Sequence, residues 1–254
     1  MNRVSLVACL AAASLACSAG RAVTKTDLQT FSRMADRFIL AVEVGTPGQP
    51  DYRFIYSDRS GHIHVYEPDG DHMKMAWEVT TLGARATALF VEDLYGDGKL
   101  KLVVSSAGGR VMIYDLASYE LEWENLQLRY TRIDHMVAGQ LDGDKQLEVA
   151  VLADDKLYIF DSYNRNVQWS STTNMIANFM VIGNVDDDPQ LEIVLNTGLI
   201  VDSRFYNIQF QTDQVFGDRI TLADLTGDGF PEVVGEFADR SLRVFDVWRG
   251  REVW

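Results

Sequence analysis

The chain has 254 residues, enough for one sizeable domain or two small ones, and 47% of them are apolar, so a packed core is expected rather than disorder. Its net charge of -14 at pH 7 argues against a nucleic-acid partner, because that contact needs clustered Lys and Arg to displace counterions. The acidity suits a soluble, cation-tolerant protein but is not by itself evidence of a bound metal.

Residues 1–19 read as an export signal, with Arg3 as the positive start and Val4 to Ala16 as a short apolar run. That run is shorter than the ~20 residues a membrane-spanning helix needs. Ser14-Leu15-Ala16-Cys17 fits either an ordinary cleavage site or a loose lipobox with Cys17 as the lipidated residue. The expected location is secreted or periplasmic, with a membrane tether only through Cys17. Cys9 and Cys17 are the sole cysteines, so the mature chain is expected to hold no disulfide, thiol nucleophile or Cys-ligated zinc. Residues 20–36 form a lead-in, where Thr24 to Ala35 carries the one stretch with a helical period.

From residue 37 onward the chain repeats itself. A loop pattern starts at Glu43 (EVGTPGQPDYR, worn), Asp93 (DLYGDGKLKLV), Gln140 (QLDGDKQLEVA), Asn184 (NVDDDPQLEIV) and Asp224 (DLTGDGFPEVV). Spacings of 50, 47, 44 and 40 residues are those of an array of supersecondary units. A short apolar run precedes each loop, a second follows it, and a third of the type RVMIYD or KLYIFD comes after a turn. The units close on Trp77, Trp123, Trp169, Phe210 and Trp254. Runs of four to seven residues rich in Val, Ile, Tyr and Phe and split by turn residues predict strands.

The predicted fold is therefore all-β: a propeller of about five four-stranded blades over residues 37–254, starting near 37, 86, 135, 178 and 219. The closing aromatics are expected to pack between neighbouring blades. Blade four lacks the usual Tyr/Phe-Asp pair, so altered outer strands are expected there. Whether five blades close a ring or belong to a larger or open one is left undecided by the sequence.

The loops present oxygen ligands by alternation, side chains at loop positions 1, 3, 5 and 9 and a backbone carbonyl at 7, which is a set that calcium accepts. The three best copies offer Gln140, Asp142, Asp144 and Glu148; Asn184, Asp186, Asp188 and Glu192; and Asp224, Thr226, Asp228 and Glu232. The copy at Asp93 puts Tyr95 and Lys101 at positions 3 and 9 and is expected to be metal-free, as is the worn first copy. The competing reading is that Asp and Gly persist because they make good turns without metal.

The pattern D-x-x-G-D-G-x-x-E-[IV]-V, followed by a strand ending V-x-[VI]-[YF]-D, resembles the FG-GAP or VCBS repeat family, over roughly Arg37 to Trp254. Family members build propellers similar to the head of integrin α subunits, and their loops commonly hold Ca2+. The resemblance implies structural calcium on the residues just named. Two departures stand against the pattern: Gln140 at position 1 of one copy, and Pro189 in place of the glycine after Asp188 in another.

A nucleophile elbow, P-loop, dinucleotide fingerprint or His-based zinc motif is missing from the sequence. His62 and His64 alternate on one predicted strand and share a face, but with no evident third ligand they read as exposed strand histidines. Acidic pairs that recur once per blade argue against a unique catalytic pair. The expectation is a secreted, non-catalytic binding or scaffold module that recognises a protein or a cell-surface glycan. The alternatives are a lyase-like, polysaccharide-active enzyme, for which Arg165 and Arg204 are the least repeat-like basic positions, and an envelope lipoprotein scaffold.

Overall fold

The computed structural model describes residues 34–36, 38–45, 49, 51–127 and 129–254. The expected export signal, Cys17 and nearly all of the lead-in lie outside the described residues. Within them the chain forms five four-stranded antiparallel sheets, each a meander in chain order. The first sheet holds β1 (Ile39–Glu43), β2 (Tyr52–Ser57), β3 (Ile63–Asp69) and β4 (His72–Val79). The second holds β5 (Ala86–Glu92), β6 (Lys101–Ser106), β7 (Val111–Asp115) and β8 (Leu121–Glu124). The third holds β9 (Ile133–Gly139), β10 (Glu148–Ala153), β11 (Lys156–Asp161) and β12 (Asn166–Ser170). The fourth holds β13 (Met180–Gly183), β14 (Glu192–Leu195), β15 (Leu199–Asp202) and β16 (Ile208–Gln211). The fifth holds β17 (Arg219–Ala223), β18 (Glu232–Glu236), β19 (Leu242–Asp246) and β20 (Arg251–Glu252).

Two compact units divide these sheets: the described residues up to 91 with residues 100–127, and residues 92–99 with 129–254. In the first unit Ile55, Ile63, Val65, Leu89, Leu102, Val104 and Met112 form one apolar core. In the second, Ala150, Leu152, Ile159, Met180, Ile193 and Val201 form one core, and Val194, Phe216, Ile220, Val233 and Phe245 form another. The second strand of a sheet is the most deeply covered: β6, β10 and β14 are buried along their whole length. That accounts for their near-continuous apolar runs (LVV, VAVLA, EIVL), since a strand covered on both faces has no solvent side to alternate with. The fourth strand β12 alternates instead, turning Val167 and Trp169 inward.

One device recurs in the fourth strands of sheets one to four. Trp77 pairs with Val65, Trp123 with Ile113, Trp169 with Ile159 and Phe210 with Ile200, and each pairing is followed by a register shift. The bulge inserts one residue and re-aims the aromatic. In the fifth sheet the Val244 N-H donates to the Trp254 carbonyl and the Val253 N-H to the Val244 carbonyl, a pairing just beyond β20.

The closing aromatics then find partners in the next sheet. Trp77 stacks on Tyr119 at 5.3 Å and meets Tyr114 edge-on at 4.8 Å. Trp169 stacks on Tyr206 at 5.0 Å, and Phe210 lies against Gly250, where an added Cβ would be 3.8 Å from the ring. Trp254 differs. It is 75% exposed.

Blade four also departs less than its sequence suggests. Val201-Asp202 occupies the Tyr/Phe-Asp slot, with Asp202 opposite Glu192 as Asp161 is opposite Glu148. Its strands are shortened to four residues rather than lost.

Candidate metal centres

In sheets three to five the acidic loop joins the first strand to the second, and its last ligand candidate is the first residue of the second strand. That residue is a glutamate buried beneath its own loop. Glu148 Oε2 accepts the Leu141 N-H at 2.7 Å, Glu192 Oε2 accepts the Val185 N-H at 2.8 Å, and Glu232 Oε2 accepts the Leu225 N-H at 2.7 Å. One carboxylate oxygen thus clamps the loop, and the other is left for the loop interior.

The clamp gathers the acids. Ligand atoms of Asp142, Asp144 and Glu148 lie within 4.8 Å of one another, as do those of Asp186, Asp188 and Glu192, and those of Asp224, Asp228 and Glu232. Burial, reinforced by Asp142 and Asp144, pushes Glu148 up to about 7. Burial also pushes Glu192 to about 7, with Asp186, Asp188 and Asp202 adding to the rise. A carboxylate driven up by desolvation and like charge is one that a divalent cation would stabilise.

Position 1 braces its loop in all three copies. The Gln140 side-chain oxygen accepts the N-H groups of Asp142 and Gly143, and its amide donates to the Asp144 and Gln146 carbonyls. Asn184 likewise accepts the Asp186 N-H and donates to the Asp188 carbonyl. Asp224 accepts from Gly227 at 2.7 Å and Gly229 at 3.1 Å.

The three loops are not equivalent as cation sites. In the fourth sheet Glu192 Oε1 is buried and has no hydrogen-bond partner. An orphaned carboxylate oxygen beside Asp186 and Asp188 fits a hard cation. In the fifth, Glu232 Oε1 already accepts the Thr226 hydroxyl at 2.9 Å. There Asp228 is paired with Arg249 at 2.8 Å, and Arg249 also holds Asp246 at 2.6 Å. A guanidinium already supplies the positive charge of that loop. The backbone differs as well: Gly143 and Gly227 adopt positive φ (84° and 76°), while the fourth-sheet loop has Asp187 and Pro189 and turns without a left-handed residue.

Lys101 takes the glutamate slot in sheet two. Its ammonium is buried and bonded to Asp115 at 2.8 Å and Glu122 at 2.7 Å, so the position carries its own cation.

The hairpins between third and fourth strands repeat a second geometry. Asp115, Asp161, Asp202 and Asp246 each accept backbone N-H groups two or three residues ahead. The residue four positions after that aspartate takes positive φ: Tyr119, Arg165, Tyr206 and Gly250. Arg165 is thereby a turn position, and Arg204, 5.0 Å over the Phe205 ring, sits in the equivalent hairpin of the next sheet. Neither stands apart from the repeat. What sequence reading missed is that these hairpins carry exposed aromatics: Tyr163, Phe205 and Trp248 are 60%, 70% and 47% exposed. Phe230 of the fifth acidic loop lies 5.6 Å from Trp248, so aromatic and acidic groups share that end of the sheet. The signal was present as an aromatic two or three residues after the strand-ending Asp.

Solved structures share this arrangement. The likeness is one of fold. The Vibrio cholerae biofilm matrix protein Bap1 matches over 83% of this chain and 35% of its own, at 20% identity and a TM-score of 0.57. BBS1N, crystallised in complex with ARL6DN, matches over 85% of this chain and 66% of its own, at 12% identity and a TM-score of 0.57. Saccharomyces cerevisiae Sqt1 matches over 80% of this chain and 57% of its own, at 11% identity and a TM-score of 0.55. The chain thus spans from about a third to two thirds of the length of these proteins. No family model and no curated protein matches the sequence. The five sheets accord with a propeller-like, all-β fold.

Proposed function

We propose that the chain is an exported, calcium-stabilised binding module of FG-GAP/VCBS type, whose repeated hairpins form a recognition surface for a protein or a cell-surface glycan. The exposed aromatics Tyr163, Phe205 and Trp248 carry this reading. Aromatic rings on surface hairpins, held by rigid capped turns, supply contact area at low entropic cost for either class of ligand. Their recurrence in equivalent hairpins of sheets three, four and five is what an extended binding surface requires. A single catalytic cleft needs a unique cluster. Calcium in this reading braces the acidic loops, with the fourth-sheet site of Asp186, Asp188 and Glu192 taking it first and the Arg249-paired fifth-sheet site last.

The test is a glycan and protein array probed with the mature chain and with a Tyr163→Ala, Phe205→Ala, Trp248→Ala variant. Matrix polysaccharides belong among the probes, given the fold shared with a biofilm matrix protein. A ligand bound by the parent and lost in a variant of unchanged melting temperature supports the surface; a ligand bound equally by both removes it. Turnover of uronic-acid polymers by the parent would favour an enzyme instead. Calorimetric titration with Ca2+ addresses the loops separately: Glu192→Gln should abolish most of the heat, and Asp228→Ala little of it.

A further inference from the structure

Outside the repeat loops, the first unit contains a cluster of different chemistry. His62 precedes β3 and His64 lies within it, so the two rings project from the same face. Strand register adds what the sequence did not show: His64 is the cross-strand partner of Glu78 on β4. The hairpin from β2 to β3 adds Asp58, which closes on His62 through its backbone N-H (2.9 Å). Gly61 makes that hairpin possible, at φ 83° and with the Ala84 carbonyl where a Cβ would sit.

Four side chains converge there. Asp58 Oδ2 is 3.1 Å from His64 Nε2 and 3.7 Å from His62 Nδ1, and Glu78 Oε1 is 3.5 Å from His64 Nδ1 and 3.7 Å from His62 Nδ1. Contrary to the expectation of exposed strand histidines, His64 is largely covered, with 12% of its side chain exposed, and its Nδ1 is buried without a hydrogen bond. Asp58 Oδ1 is occupied by the N-H groups of Ser60 and His62, which leaves Oδ2 aimed at the rings.

We propose that Asp58, His62 and His64 form a binding site for a zinc-like divalent transition metal, with Glu78 as an outer-shell carboxylate. Two imidazoles exclude calcium and magnesium as the natural occupant, since those ions take oxygen ligands, while mixed nitrogen and carboxylate donors suit zinc and its neighbours. One ligand atom from each of Asp58, His62 and His64 lies within 4.8 Å of the others. Ligands about 2.0–2.1 Å from a tetrahedral centre lie about 3.3 Å apart, and Asp58 Oδ2 stands 3.1 Å from His64 Nε2 and 3.7 Å from His62 Nδ1. Glu78 faces the other ring nitrogen of His64, at 3.5 Å, where a carboxylate orients a ligating imidazole. Three protein ligands leave the fourth position open to water.

The experiment is titration of the mature chain with Zn2+, and with Co2+ as a spectroscopic substitute, in the presence of excess Ca2+ to saturate the acidic loops. One equivalent of Zn2+ should bind, raise the melting temperature, and be reported by the visible absorption of Co2+ in a tetrahedral site. His62→Ala and Asp58→Asn, each checked for an unchanged melting temperature without metal, should weaken binding by more than ~100-fold, beyond the loss of an outer-shell partner. Asp186→Asn with Asp188→Asn should leave it unchanged. No stoichiometric Zn2+ uptake by the parent, or uptake undiminished in His62→Ala and Asp58→Asn, overturns the proposal.

Discussion

Trp169, the residue that closes the third sheet, stacks on Tyr206 of the fourth with ring centroids 5.0 Å apart and planes 28° from parallel. Tyr206 stands at positive φ in a hairpin capped by Asp202, and Trp169 is aimed by a bulge opposite Ile159. Two local irregularities, one in each sheet, therefore meet in one contact. Trp77 and Tyr119 repeat it in the first unit. Trp169→Ala is expected to cost about 3 kcal/mol, the low end for truncating a packed aromatic, while Trp254→Ala should change stability by less than about 0.5 kcal/mol because its ring is exposed. Urea denaturation of both variants checks the contrast.

Lys101 gives a second test. The ammonium is almost wholly buried between Asp115 and Glu122, which keep partial access to solvent. Lys101→Met should destabilise by about 2–3 kcal/mol, somewhat less than breaking a fully buried pair. The Lys101 hydrogen bond holds Asp115 down at about 2, against an ordinary 3.8. A depressed carboxylate contributes stability above its unfolded value and loses it as pH falls, here between roughly pH 4 and 2. That contribution is on the order of 2 kcal/mol. A pH titration of the melting temperature should show this acid limb in the parent and lack it in Lys101→Met.

Glu148 and Glu192 produce the opposite slope. Each stands near 7 in the folded chain against an ordinary 4.5, so between those values the folded state keeps protons that the unfolded state has released. Stability of the chelator-treated protein should therefore fall as pH rises from about 4.5 to about 7. Glu148→Gln with Glu192→Gln should flatten that fall. Added Ca2+ should reverse it in the parent alone, since ligation takes the ionised form. Calorimetric melting across that range, with and without Ca2+, measures each of these outcomes.

Glycines within strands test how closely neighbouring elements approach. A Cβ at Gly139 would come 2.9 Å from Ile182 Cγ2, a side-chain atom on β13 that can turn aside. At Gly235 the obstruction is the Phe216 carbonyl, which is backbone and cannot. Gly139→Ala is expected to cost about 1 kcal/mol and Gly235→Ala about 3 kcal/mol or more, from the usual cost of overpacking. Comparing the two urea midpoints decides it.

The spacing of DLTGDGFPEVV and its relatives revealed the repeat, the strands and the acidic clusters, because a short meander with a tight loop is encoded locally by apolar runs and turn residues. Local pattern also placed Glu148, Glu192 and Glu232 at the ends of their loops. It did not show that the Gln140 and Asn184 amides brace the loop backbone, nor that Arg249 neutralises Asp228 from a hairpin downstream. The slot of Asp202 in the shortened fourth sheet emerged in the same way, from its pairing opposite Glu192.

By itself, then, the sequence determined which segments become strands and which loops gather carboxylates, since both follow from residue type and spacing within about ten positions. Folding in three dimensions decided which carboxylate oxygens stay unpartnered, which carry a built-in cation, and that Asp58 and Glu78 meet His62 and His64. Those outcomes depend on register between strands, on burial, and on partners distant in the chain. A one-residue slip in any ladder would turn each of these side chains to the other face.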